Sequence, residues 1–226
     1  MRRGLLLLLV AATALACAPA DPAARLGRAL AAMEALPGMR FQLDGSVDVT
    51  GETAPGGPLR SSVRMAGEYA APDRLHVAID TSGAHREVVL IERRTWIDDG
   101  GGYHQSVRVP VGPLRDARAP LTFIRGSGAA QFAGLGLSRG SLTYRVRLDL
   151  AAGDLAGRLL DGQDVPPDAC GTSEVEICLS DDLIRRQRVE IVSSADAFGS
   201  GLDRVRTVYT VEYWAFGERA DIGEPN

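Results

Sequence analysis

Residues Gly67 to Ile79 read GEYAAPDRLHVAI, and this step decides the fold. Upstream of it Val63, Met65 and Tyr69 alternate with polar residues, the period-2 signature of a strand with one buried face. Ala71-Pro72-Asp73 is a turn, because proline fixes φ and aspartate bonds its own backbone. Leu75, Val77 and Ile79 then resume the alternation, with His76 on the opposite, outer face. Two such runs joined by so short a turn are antiparallel neighbours.

The same pattern extends in both directions. Before it, Phe41, Leu43, Val47 and Val49 alternate, and a Gly/Pro-rich loop follows from Gly51 to Pro58. After it come a continuous apolar run from Glu87 to Glu92, a short strand at Thr95-Trp96-Ile97 and a return at Tyr103 to Val107. Asp98-Asp99 and three glycines between the last two read as a hairpin turn, with a flexible lip as the functional alternative. Pro110 to Pro120 interrupts the meander, and Leu121 to Leu137 reads as helical despite Gly126 and Gly128. Tyr144, Val146, Leu148 and Leu150 return to period 2, and Ala151 to Leu160 reads as a short helix before the acidic loop Asp161 to Asp168. Val175 to Leu179 and Leu183 to Val192 form a hairpin turned at Ser180-Asp181-Asp182. After the polar loop Ser193 to Gly201, Val205, Thr207, Tyr209, Val211 and Tyr213 share one face of a last long strand. The total is nine to eleven strands, apolar on one face and rich in Arg, Asp and Glu on the other.

The chain begins differently. Arg2 and Arg3 precede an apolar run, Leu5 to Leu15, that has the length of a signal-peptide core and is short for a membrane span. Ala14-Leu15-Ala16-Cys17 follows as a lipobox and resembles bacterial lipoprotein signals, which implies cleavage before Cys17 and a diacylglyceryl thioether on its sulfur. An ordinary secretory signal and a retained anchor are the other readings. The expected organisation is therefore a signal peptide over 1–16, a tether over 17–20 and one domain over 21–226. Asp21 and Pro22 open a helix as N-cap and first-turn proline. Leu26, Leu30 and Met33 give it an apolar face, and Pro37-Gly38 stops it.

Composition narrows the function. The net charge is −4 with signal arginines still counted, so nothing electrostatic draws this chain to nucleic acid. No lysine occurs; all basic side chains are arginine, read as GC-rich codon usage or, alternatively, as selection for bidentate anion binding. Apart from Cys17 the cysteines are Cys170 and Cys178, flanking CGTSEVEIC. In an oxidising compartment they are expected to form a disulfide pinning one hairpin; a redox pair is the other reading, but the spacing is not Cys-x-x-Cys. His76, His85 and His104 make no metal-binding motif, no G-x-S-x-G elbow occurs, and Gly134 to Gly140 does not fit a dinucleotide fingerprint. No catalytic residue, metal site or cofactor is expected.

Taken in order, the lipobox, the amphipathic helix, GEYAAPDRLHVAI, VVLIERRTWIDDGGGYHQ, GSLTYRVRLDL, ICLSDDLIRRQRVEIV and YTVEYWAFGERADIGEP are similar to the LolA-like superfamily, above all its LppX/LprG-type lipoproteins. The resemblance implies an α+β, mainly β fold: a curved antiparallel half-barrel whose concave face is covered by an N-terminal helix and a helical insert. It also implies a cavity for lipid or lipoprotein acyl chains, an envelope protein as possible partner, and anchorage to the outer face of the plasma membrane or to the outer membrane facing the periplasm. Leu75, Val77, Ile79, Val89, Ile91, Val146 and Leu148 are the expected cavity lining, although a filled core would use the same residues. That second possibility corresponds to a sensor or protein-interaction module on the same fold.

Overall fold

In a computed structural model the described residues are 21–51, 59–106, 121, 124, 128–152, 166–194 and 203–225. They form a helix, α1 (Pro22–Glu34), and eleven strands. The strands are β1 (Gly38–Thr50), β2 (Leu59–Ala70), β3 (Arg74–Thr81), β4 (Ala84–Ile91), β5 (Arg94–Asp98) and β6 (His104–Ser106), then β7 (Gln131–Ser138), β8 (Ser141–Ala151), β9 (Cys170–Cys178), β10 (Ile184–Ser194) and β11 (Arg204–Trp214). All pair antiparallel in one open sheet of order β6-β5-β4-β3-β2-β1-β11-β10-β9-β8-β7. Each half is a meander, and the β1–β11 pairing joins the halves. The signal segment, Cys17 and the tether lie outside the described residues.

The register carries the predicted step through. Tyr69 stands opposite Leu75, Gly67 opposite Val77 and Met65 opposite Ile79. The Tyr69 hydroxyl donates to the Pro72 carbonyl at 2.9 Å, closing the turn. Glycine is required at position 67. A Cβ there would come within 2.4 Å of the His76 carbonyl oxygen and 3.0 Å of the Phe41 ring, which fills the space instead. Helix α1 starts as its sequence demands: Asp21 Oδ1 accepts from the Ala23 N–H at 3.0 Å, and Pro22 occupies the first turn. Leu26, Ala29, Leu30 and Met33 are its buried side.

Three expectations are corrected. The first is the helix over Leu121 to Leu137: residues 131–138 are the edge strand β7. Phe132, Leu135 and Leu137 pair with Val146, Tyr144 and Leu142 of β8, and Gly134 and Gly136 weaken any helical alternative. Much of the expected helical insert lies outside the described residues, although Leu121 and Ile124 are buried in the core. The second is the helix from Ala151, which is instead the last residue of β8; 153–160 lie outside the described residues.

The third is the Cys170–Cys178 disulfide. Both thiols are free and stand at opposite ends of β9. Eight residues of extended strand span roughly 26 Å, whereas a disulfide needs Cα atoms within roughly 7 Å. Cys178 is buried, and its Sγ lies 3.1 Å from the Ser180 hydroxyl.

Candidate functional site: the apolar face of the sheet

Side-chain parity divides the sheet into two faces with different chemistry. The face toward α1 carries the main core. Across it run rows of directly opposed residues. One row is Val88, Val77, Gly67, Phe41 and Tyr213. The next is Ile79, Met65, Leu43, Val211, Gln187, Val175, Val146 and Phe132. Further along the strands come Val63, Gly45, Tyr209, Val189, Ser173 and Leu148, and then Ser61, Val47, Thr207, Ile191, Gly171 and Leu150.

Burial changes systematically along these rows. Leu75, Val77, Val88, Phe41, Tyr213, Val175 and Val146 are no more than 1% exposed. Met65, Val63, Tyr209, Thr207 and Ile191 are only half-buried, and Val47 is exposed. The apolar face is thus sealed at the α1 end and half-open at the far end of β1, β2, β10 and β11. Within its floor sits one polar pair, Gln187 and Ser173, both fully buried, with the Gln187 amide N–H donating to Ser173 Oγ at 3.4 Å. The Tyr209 hydroxyl is buried in the half-open region, and loss of water holds its phenol well above the ordinary value.

Of the seven expected lining residues, Leu75, Val77, Ile79, Val146 and Leu148 lie together on this face. Val89 and Ile91 do not. They belong to a second cluster on the outer face with Ala70 and Ile222, flanked by Trp96, Tyr103 and Ala220. The cause is β4, whose run Val88–Ile91 is buried on both faces, so its hydrophobicity carries no parity signal. Its inward residues are Val88 and Leu90. The C-terminal segment covers the other side: Arg74 donates to the Ile222 carbonyl at 2.9 Å, and Arg94 pairs with Glu224 at 2.5 Å. Sequence reasoning passed over Phe41, Tyr213 and Val211 as lining, though their alternation was visible. Gln187 left no hydrophobic signal at all.

The outer face is charged. Arg64–Asp44, Arg206–Glu190 and Arg60–Asp48 pair across neighbouring strands at 2.8, 2.9 and 3.4 Å. A groove of about 550 Å³ on this side is lined mainly by polar residues, among them Asp44, Ser46, Arg60, Ser62, Arg64 and Asp80. Its arginines are already engaged by carboxylates, which suits solvent rather than an acyl chain. The expected turn at Asp98-Asp99 is present: Asp98 Oδ1 accepts from the N–H groups of Gly100 and Gly102 at 2.7 and 2.9 Å.

The titratable cluster also lies on the outer face. His76 Nε2 is 3.4 Å from Glu87, His85 Nδ1 is 2.7 Å from Asp80, and the Tyr103 hydroxyl donates to Glu87 at 2.5 Å. The Tyr103 bond, with smaller help from His76 and His85, holds the Glu87 carboxyl below its ordinary value despite partial burial. Burial, then Glu87, push the Tyr103 phenol up to about 12. The hydrogen bond that His85 donates to the Asp80 carboxylate raises His85 above 6.5. The signs fix a window. The Glu87 contribution is present above 4.5 and lost as pH falls through its lowered pKa. The His85 contribution is present below 6.5 and lost as pH rises through its raised pKa. Nuclear magnetic resonance titration is expected to find His85 above 6.5, returning toward 6.5 in Asp80→Asn; a parent His85 titrating at or below that value contradicts the pairing.

Comparison with solved structures identifies the architecture. The chain is similar to LprF from Mycobacterium bovis, at 10% identity and a TM-score of 0.58, over 89% of this chain and 95% of that one. It is similar to the lipoprotein LppX of Mycobacterium tuberculosis, at 15% identity and a TM-score of 0.52, over 90% of this chain and all of that one. The fold is therefore that of LprF and LppX, mainly β with an open antiparallel sheet. No protein-family model matches the chain, and no curated protein does.

Proposed function

From this LppX-like fold we propose an exported lipoprotein, held in the cell envelope by a diacylglycerol on Cys17, that shelters an acyl chain of a lipid or lipoprotein against the helix-facing side of its sheet. The observation that carries the reading is the gradient of burial. Leu75, Val77, Ile79, Val146 and Leu148 make a closed apolar floor, and the same apolar surface continues into the half-open rows of Val63, Tyr209, Ile191 and Val47. A carrier needs both a dry end to receive methyl and methylene groups and an open end for entry.

Binding is burial rather than chemistry. Each methylene taken out of water contributes about 0.8 kcal/mol, so a few turns of acyl chain are sufficient for tight but reversible capture. An anchor on Cys17 would keep the protein at the membrane that supplies its cargo. The test is equilibrium uptake of a fluorescent fatty acid by the purified protein. Saturable uptake, displaced by an unlabelled fatty acid, supports the carrier; a linear, non-displaceable signal favours an interaction module with a filled interior.

A further inference from the structure

We infer that Phe132, Leu135, Leu137, Leu142 and Leu179 form a surface that lies against the bilayer, so that the protein stands on its membrane in a fixed orientation. The inference rests on the anchor reading of Cys17 and adds a second contact to it.

Large apolar side chains left in water are few among the described residues, and most of them are in this one place. Leu137 is 73% exposed, Leu135 53% and Leu142 51%. They are contiguous. Leu137 stands opposite Leu142, and Leu135 opposite Tyr144. The Phe132 and Tyr144 rings are 4.7 Å apart, and the Leu179 N–H donates to the Leu142 carbonyl at 3.0 Å. A contiguous apolar patch of this kind marks a contact surface.

Its place in the fold selects the bilayer as the occupant. The start of α1 is at the patch: the Arg25 guanidinium lies 5.1 Å over the Tyr144 ring, and the Arg25 N–H closes the first helical turn onto the Asp21 carbonyl. Cys17 precedes Asp21 by four residues, a reach of at most about 14 Å in extended chain. Lipid chains on Cys17 therefore hold this corner of the sheet, and no other, at the membrane surface. Arg28 and Arg139 are each about half exposed but pair with Asp182 and Glu212 at 3.4 and 3.3 Å, so the apolar side chains alone make the contact with the bilayer. A second copy adding a strand to β7 is disfavoured by the bulge between Phe132 and Gly134, which breaks the edge ladder.

The orientation has a consequence for cargo. The half-open positions Val63 and Tyr209 share the row of the sealed Leu148, which stands six residues along β8 from Leu142, or roughly 20 Å. With the patch on the bilayer, the open end of the apolar face points away from the anchoring membrane.

The experiment uses the acylated protein reconstituted in phosphatidylcholine–phosphatidylglycerol vesicles whose acyl chains are brominated near the headgroup. Leu137→Trp, an exposed position that tolerates the ring, is expected to lose most of its added emission relative to unbrominated vesicles, above the background of Trp96 and Trp214. Leu59→Trp, exposed at the opposite end of the strands, is expected to keep its emission. No quenching of Leu137→Trp overturns the inference, as does equal quenching at both positions. Absence of quenching with cross-linked dimers through the patch assigns it to a second copy instead. The mass of the Cys17 peptide tests the anchor separately. If that cysteine is unmodified, the same quenching is measured on the exported chain mixed with the vesicles. Quenching then supports the membrane face without the anchor, and its absence overturns it.

Discussion

The double variant Val63→Trp/Ile191→Trp is expected to take up acyl chains about ten-fold more weakly than the parent while keeping its fold. Both residues are half-buried on the helix-facing side, in the rows where the apolar surface opens. Two indole rings placed there occupy the volume of an entering chain. Displacing about two methylenes removes roughly 1.6 kcal/mol, and every 1.4 kcal/mol is ten-fold in affinity. Because neither position is sealed, the larger side chains can lean outward, so the urea midpoint is expected to move little. Unchanged uptake would place the acyl chain elsewhere. A collapse of the midpoint would show that these rows are packed solid.

Phe41→Ala tests the opposite end. Phe41 is 1% exposed, sits directly between Gly67 and Tyr213, and supplies the ring that covers the glycine. Removing a buried phenylalanine costs about 3–5 kcal/mol, a large share of the roughly 5–15 kcal/mol that stabilises a domain. Urea unfolding should show that loss directly. A cost below about 1 kcal/mol would mean that the row can refill or was never tightly packed. The two variants together separate the closed half of the apolar face from its open half: one is expected to change stability without specific loss of binding, the other binding without stability.

Much of the sheet was legible because alternation is a local property. Leu75, Val77 and Ile79 announce their strand and its buried face within five residues, and Ala71-Pro72-Asp73 announces the turn. The final strand was equally plain, with Val205 to Tyr213 sharing a face as expected. The failures fall where local signals lose meaning. In β4 four apolar residues in a row serve two cores, so parity could not assign Val89 and Ile91. In β7 an apolar, glycine-containing edge strand with a bulge resembles a weak helix, because period and propensity give no clear answer. Cys170 and Cys178 were paired on compartment and count alone; whether two residues eight apart along the chain's numbering span one strand or face each other across a turn is a tertiary fact.

The site was legible as a class of surface rather than as residues. Composition distinguishes an apolar wall from a polar one, but it does not distinguish a filled core from a cavity floor, since both are written in Leu, Val and Ile. Burial along the rows adds what composition lacks: one end of the wall is closed and the other half-open. Gln187 shows the limit most clearly. A glutamine in an Arg-rich strand reads as solvated, yet its register opposite Val175 and Val211 buries it completely.

The central claim is that this protein carries an acyl chain. It is tested most directly by purifying the anchored protein from its own membrane and identifying bound lipid by mass spectrometry after exhaustive detergent exchange. The account predicts a defined acyl lipid, distinct from the diacylglycerol on Cys17, that stays with the parent protein and is depleted in Val63→Trp/Ile191→Trp. A parent protein that carries no lipid beyond its own anchor, and shows no saturable uptake, would contradict it.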